Sequence, residues 1–183
     1  MKAVRFFVYE EKKMKKYKRV CIVGNSGAGK STLSVKLGEM FHLPVCHIDK
    51  LYWMPGWVKR PKNEYQVLLE NVIRQDEWII DGNNKSTMPQ RFERSDLIIF
   101  LDYHPFFCCY RAVKRMLLTV SRPDMADGCR ERFNMPFYQW ILGYRKHVNP
   151  VVLEHLEKHG KSADIFILKN PKELACFMNQ LQC

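Results

Sequence analysis

The sequence predicts an α/β fold: a five-stranded parallel sheet with helices covering both faces. Short apolar runs alternate with helical patterns along the 183-residue chain, the arrangement that produces crossover-connected parallel strands. The runs themselves are apolar enough to be buried on both sides, as strands of such sheets are. The first of them, Arg19-Val20-Cys21-Ile22-Val23, ends in Gly24-Asn25-Ser26-Gly27-Ala28-Gly29-Lys30-Ser31. That is the G-x-x-x-x-G-K-S pattern of a P-loop, which belongs between a strand and a helix.

The P-loop has a physical logic at each position. Its glycines reach backbone angles closed to other residues and let main-chain N–H groups approach an anion. The helix that opens at Lys30 aims its unpaired N–H groups and positive dipole end at the same point. Gly24, Asn25, Ser26, Gly27, Ala28, Gly29, Lys30, Ser31 and Thr32 are therefore expected to bind a nucleoside triphosphate. Lys30 reaches the β- and γ-phosphates, and the Ser31 hydroxyl meets Mg²⁺.

The remaining elements follow in order. A helix over Ser31 to Phe41 leads to a second strand, Pro44 to Ile48, closing on Asp49. Leu51 to Trp57 is a turn-bearing loop rich in large aromatics. A helix from about Asn63 to Arg74 carries Tyr65, Leu68, Leu69, Val72 and Ile73 on one face. Glu77 to Ile80 is the third strand, closed by Asp81-Gly82, and Leu97 to Leu101 the fourth, closed by Asp102. Pro105 suits the first turn of a helix running to about Val120. Ser121 to Pro136 reads as an irregular lid, and a long helical pattern covers Phe137 to His159. Asp164 to Leu168 is the fifth strand, and Pro171 opens a last helix through Leu181. Three strands end in an acid, and ligands of such sheets gather at the carboxyl ends of strands.

Composition bounds the rest. The length fits one domain, and no apolar run approaches the ~18 residues of a membrane helix. Residues 1–17 read as a basic extension and 18–183 as a single domain, with Met14 a plausible alternative start; Phe6 to Tyr9 alternatively adds an edge strand. No secretory signal is visible, and seven scattered cysteines without a C-x-x-C pair suit a reduced cytoplasm rather than structural zinc. The net charge of +11 is uneven: residues 1–19 hold eight Lys/Arg against two Glu. Such a segment binds polyanions without specificity or is simply solvated.

Gly24 to Thr32, Ile48-Asp49-Lys50-Leu51-Tyr52-Trp53-Met54-Pro55-Gly56-Trp57, Trp78-Ile79-Ile80-Asp81-Gly82-Asn83 and Arg122-Pro123-Asp124-Met125-Ala126-Asp127-Gly128-Cys129 resemble the bacterial DNA topology modulation protein family, related to adenylate kinase and other P-loop nucleoside-monophosphate kinases. The resemblance runs from about Lys18 nearly to the C-terminus. It implies a three-layer α/β/α P-loop kinase fold with a small helical lid over about 121–145, ATP binding with Mg²⁺, and a phosphotransferase activity. The related kinases carry an Arg-x-x-x-Arg pair on the helix before the lid, which Arg111 and Arg115 match. Their Asp-Gly after the third strand, matched by Asp81-Gly82, helps organise Mg²⁺. By the same resemblance Lys169 and Asn170 lie near the donor base.

Phosphoryl transfer is positioning and charge neutralisation, so cations should converge on the phosphates. Arg111 and Arg115, four apart on a helix, face the same way; the alternative is a solvated basic face with Lys114. Arg122, Arg130, Arg132 and Arg145 lie in or just after the lid, with Arg132 and Arg145 favoured for the γ-phosphate. Asp49 is a candidate to orient the acceptor or to hold Mg²⁺ through water, and Asp81 to hold metal or acceptor, although strand-end acids also serve as caps or turn residues. Asp102 is placed like a Walker-B acid, but Tyr103 stands where hydrolytic motors have Glu. Arg91 is a candidate acceptor clamp, and Trp53 and Trp57 either stack on a planar acceptor or pack the loop. His47 and the other histidines read as structural.

Two function classes follow. The first is an ATP-dependent phosphotransferase acting on a nucleotide or another small acceptor. The second is a nucleotide-binding, DNA-associated regulator, motivated by charge and the family name, although no base-reading module is present.

Overall fold

The computed structural model describes residues 17–118, 124–129 and 132–181. The proposed start at Met14 and Arg122 and Arg130 lie outside these residues. In chain order the elements are β1 (Arg19–Gly24), α1 (Lys30–Phe41), β2 (Val45–His47), α2 (Ile48–Tyr52), β3 (Trp53–Met54), β4 (Val58–Lys59), α3 (Lys62–Ile73) and β5 (Trp78–Asp81). They continue with α4 (Met88–Arg94), β6 (Leu97–Leu101), α5 (Pro105–Leu117), α6 (Met135–His147), α7 (Asn149–His159), β7 (Asp164–Leu168) and α8 (Pro171–Gln180).

The predicted five-stranded parallel sheet is present, in the order β2-β5-β1-β6-β7. Strand β1 is central: Val20 pairs with Ile79 of β5 on one side and Leu97 of β6 on the other. Alternation along it sends Val20 and Ile22 into one core layer and Cys21 and Val23 into the other. The first layer packs against Leu33 and Leu37 of α1, Cys108 and Ala112 of α5, and Phe177 of α8. The second packs against Leu69 of α3, Phe92 of α4, and Val152 and Leu156 of α7. Helix α6 joins the two, with Ile141 in the first layer and Tyr144 in the second. Tyr17 belongs to this core rather than to an extension: it is buried, meets Phe41 edge-on and donates to Asp164.

Five features depart from the sequence reading. Asp49 does not end a strand; β2 stops at His47 and Asp49 lies in the short helix α2. The aromatic loop is a small antiparallel hairpin, pairing Trp53 with Lys59 and Met54 with Val58. An extra helix, α4, follows Asp81-Gly82, with Pro89 in its first turn. The single pattern over 137–159 is two helices, because Pro150 has no N–H to donate and its ring crowds the carbonyl four residues earlier. Leu68, expected on the buried face of α3, is exposed, while Tyr65, Leu69 and Ile73 are buried.

Parallel strands bring their carboxyl ends to one edge of the sheet, where such folds bind ligands. That edge carries the P-loop, Asp81 and Asp102.

Candidate active site

The P-loop is shaped by three glycines with left-handed backbone: Gly24 at φ +146°, Gly27 at +83° and Gly29 at +100°. A Cβ on Gly24 would stand 2.6 Å from the Leu101 carbonyl oxygen, and one on Gly27 2.3 Å from that of Cys108. The first turn of α5 thus rests on the loop. Asn25, almost wholly buried, accepts from Ser26 N and donates to the Ile141 carbonyl, tying the loop to α6.

Lys30 donates to the Asn25 carbonyl at 3.1 Å. Burial lowers its pKa, and the nearby carboxylates of Asp81, Asp49 and Asp124 pull it back up. Burial thins the solvent that screens this charge, which strengthens its attraction for an anion. Arg111 comes to the same place. Its Nη atoms lie 3.5 Å from where a Gly29 Cβ would be, Nη1 is 3.5 Å from the Ala28 carbonyl, and the guanidinium sits 5.6 Å from the Phe107 ring centroid. Arg115 is half-buried one turn further on.

The acids are arranged unequally. Asp81 is buried, and its Oδ2 accepts from Ser34 at 2.6 Å and from His47 Nδ1 at 2.9 Å. A carboxylate only accepts, so this pairing puts a proton on His47 Nδ1. Asp49 is exposed on α2. Asp102 meets Asn149 and, at 3.8 Å, Arg145, away from Ser31. Asp124, also buried, accepts from the Ser31 hydroxyl at 2.7 Å.

The aromatic hairpin leans over this edge. Trp53 meets Tyr52 at 4.8 Å and Trp57 at 5.6 Å between ring centroids, both edge-to-face. Trp57 is held at φ +64°, an uncommon and strained angle for a bulky residue. The hairpin touches the segment between α5 and α6: Gly56 N donates to the Gly128 carbonyl, and Cys129 Sγ to that of Met54.

Five expected residues have other partners or surroundings. Arg91 has no exposed surface, and its guanidinium donates to the carbonyls of Gly82 and Asn84 and to Cys21 Sγ. A guanidinium so enclosed binds its own chain, so it supports the loop after β5 in place of clamping an acceptor. Asn170 caps α8, accepting from Lys172 N and Glu173 N, while the Lys169 backbone donates to Glu173. Its amide is committed to the helix rather than to a base. Arg132 is exposed, and Arg145 borders an open cleft of about 360 Å³ with His104, Phe106 and Leu142.

Two residues at the site were not singled out from the sequence. Asn83 exchanges hydrogen bonds with the backbone of Gly24 and accepts from the Tyr144 hydroxyl. Asp124 bonds Ser31. Both belong to the motifs that carry the family resemblance, which was their only signal.

The residues fit the groups a P-loop implies. Gly29 leaves open a space beside the Arg111 guanidinium that a side chain would narrow, next to Lys30, which suits a polyphosphate. Ser31, Asp124, Asp81 and Asp49 offer hard oxygen atoms, the donors Mg²⁺ prefers.

This is the fold of the P-loop kinases. The structure is similar to a shikimate kinase from Acinetobacter baumannii in complex with shikimate, with a TM-score of 0.58, 17% identity, and 90% of this chain and 92% of that one covered. It is also similar to a gluconokinase from Sinorhizobium meliloti 1021, with a TM-score of 0.50, 14% identity, and coverage of 90% and 89%. No protein-family model and no curated protein matches the chain by sequence. Among the described residues, no helix is long and apolar enough to cross a membrane.

Proposed function

We propose that the protein is an ATP-dependent phosphotransferase acting on a small acceptor. The observation that carries this reading is the convergence of Lys30 and Arg111 on a glycine-shaped loop, beside an aromatic hairpin and a cluster of acids. Bound Mg-ATP supplies the γ-phosphoryl group and an electrophilic metal. The P-loop amides and Lys30 hold the phosphates; Arg111, with Arg115 behind it, neutralises charge that develops on transfer. Arg132 is exposed and Arg145 meets Asp102 at 3.8 Å, whereas Arg111 touches the P-loop, so they rank below Arg111.

Asp49, exposed between Lys30 and the hairpin, orients an acceptor hydroxyl, and Trp53 and Trp57 bound its binding face. Two of the similar structures are a shikimate kinase in complex with shikimate and a gluconokinase, which supports testing hydroxy acids as acceptors beside nucleotides. The narrower resemblance to DNA topology modulation proteins rests on four sequence motifs alone, since no family model and no curated protein matches the chain. The DNA-associated reading draws on the basic residues 1–19, most of which lie outside the described residues.

The test is ADP release from Mg-ATP with a panel of hydroxy acids, nucleosides and nucleoside monophosphates, run beside Lys30→Ala. Acceptor-dependent release that vanishes in the variant is the expected result. ATP binding with no acceptor-dependent release would end the kinase reading, and salt-dependent DNA binding that survives removal of residues 1–13 would establish the alternative.

A further inference from the structure

We propose that Asp124 is the acid that works with Ser31 on the metal ion accompanying ATP, held at the P-loop by residues 124–129. This rests on the phosphotransferase reading above and assigns a residue that reading leaves without a role.

Asp124 lies in a polar connecting segment yet is only 6% exposed. Burying a carboxylate is costly unless it is paired and hydrogen-bonded. Part of the compensation comes from the P-loop itself: Ser31 Oγ–H donates to Asp124 Oδ2 at 2.7 Å, and Lys30 lies within electrostatic reach. The direction of that bond has a chemical consequence. An ionised carboxylate accepts only, so Ser31 gives it its one proton and keeps its lone pairs for another partner. A hydroxyl oxygen so oriented is a hard donor, and the carboxylate beside it supplies negative charge, the combination that suits Mg²⁺.

The other acids are worse placed for this task. Asp81 Oδ2 is taken by Ser34 and His47, Asp102 faces Asn149 and Arg145, and Asp49 is exposed. Among the described residues, Asp124 is the carboxylate recorded on the Ser31 hydroxyl. The segment carrying it is also anchored. The Gly56 to Gly128 and Cys129 to Met54 hydrogen bonds join it to the aromatic hairpin, and Ala126 is buried. Metal organisation is thereby linked to the hairpin that bounds the acceptor side.

The experiment is calorimetric ATP binding to the full chain, in EDTA and in excess Mg²⁺, for the wild type, Asp124→Asn, Ser31→Ala and the double variant. Mn²⁺ titration of each protein–ATP mixture by electron paramagnetic resonance gives a second readout. The wild type should bind ATP more tightly with metal. Asp124→Asn should lose roughly 10–100-fold in metal affinity, with metal-free ATP affinity unchanged. Ser31→Ala should lose a similar amount, and the double variant little more, because the two act as a unit. A metal-dependent gain that Asp124→Asn keeps in full overturns the assignment while leaving the P-loop reading intact. So does metal-free binding that tightens in Asp124→Asn, which would make the carboxylate a plug that ATP must displace. A wild type that binds no ATP in either buffer overturns both readings. Asp124→Glu, which keeps the charge, serves if the amide variant misfolds. Its metal affinity should shift while its metal-free ATP affinity does not, and an unshifted metal affinity overturns the assignment.

Discussion

Asn83 grips Gly24 with both halves of its amide: Oδ1 accepts from Gly24 N at 3.1 Å and Nδ2 donates to the Gly24 carbonyl. Side chain and backbone are 59 residues apart, so this pairing joins the loop after β5 to the first residue of the P-loop. Asn83→Ala leaves both partly buried backbone groups without that partner, at about 1–3 kcal/mol each if nothing replaces it. Urea denaturation should show a lower midpoint, and ATP affinity should fall with it. Asn83→Asp should be worse, since it sets a carboxylate oxygen against a carbonyl. An Asn83→Ala midpoint equal to wild type would mean the clamp is incidental.

Gly27→Ala should abolish ATP binding while the sheet still forms. The new Cβ would meet the Cys108 carbonyl at 2.3 Å, on a residue already at φ +83°. Neither the loop nor the first turn of α5 can yield without opening the cradle. Circular dichroism and calorimetry separate the two effects; wild-type ATP affinity in this variant would show that the loop has room to adjust.

Arg91→Met should lower stability without changing acceptor KM in the folded fraction. It strips Gly82 and Asn84 carbonyls of their donor, at about 1–3 kcal/mol for each group left buried and unpaired. A raised acceptor KM at unchanged stability would return Arg91 to the binding site.

Trp53→Ala should raise acceptor KM and leave ATP KM unchanged. If the ring stacks on the acceptor, the loss is roughly tenfold or more, matching ~1–3 kcal/mol for aromatic stacking on a planar ligand. Equal changes in both KM values would mark the tryptophan as packing for the whole edge.

Burial pushes the thiols of Cys46 and Cys108 up to about 11 from 9.0; the Lys30 and Arg111 charges act against this at Cys108. A folded-state pKa above the unfolded one means the unfolded chain loses its proton first. Stability from these thiols is therefore intact below pH 9.0 and is lost as pH rises toward about 11. Denaturation midpoints measured across that window should fall, and less so in Cys108→Ala. A flat profile would contradict the burial argument.

The alternation of apolar strands and helices, the P-loop and the five strand positions were legible because each is local. A strand buried on both faces must be apolar along its length, and a phosphate loop needs glycine where the backbone turns left-handed. Lys30 and Arg111 could be named on the same grounds, since motif position and helix phase placed them. Arg91 was misjudged, and the bonds of Asn170 were unforeseen, because a charged or amide side chain announces that it will bond, not to what. For Arg91 the answer was two carbonyls of its own chain; for Asn170 it was a helix end. The break between α6 and α7 was readable in Pro150, but the apolar periodicity continued through it. Sequence alone thus determined a parallel α/β sheet with a P-loop at its carboxyl edge, since periodicity and glycine placement are properties of neighbouring residues. Which acids and amides meet that loop was decided only by the tertiary structure. Asn83 on Gly24 and Asp124 on Ser31 are contacts between residues 59 and 93 positions apart, and a hydrogen bond of under 3.2 Å cannot be read from spacing along a chain.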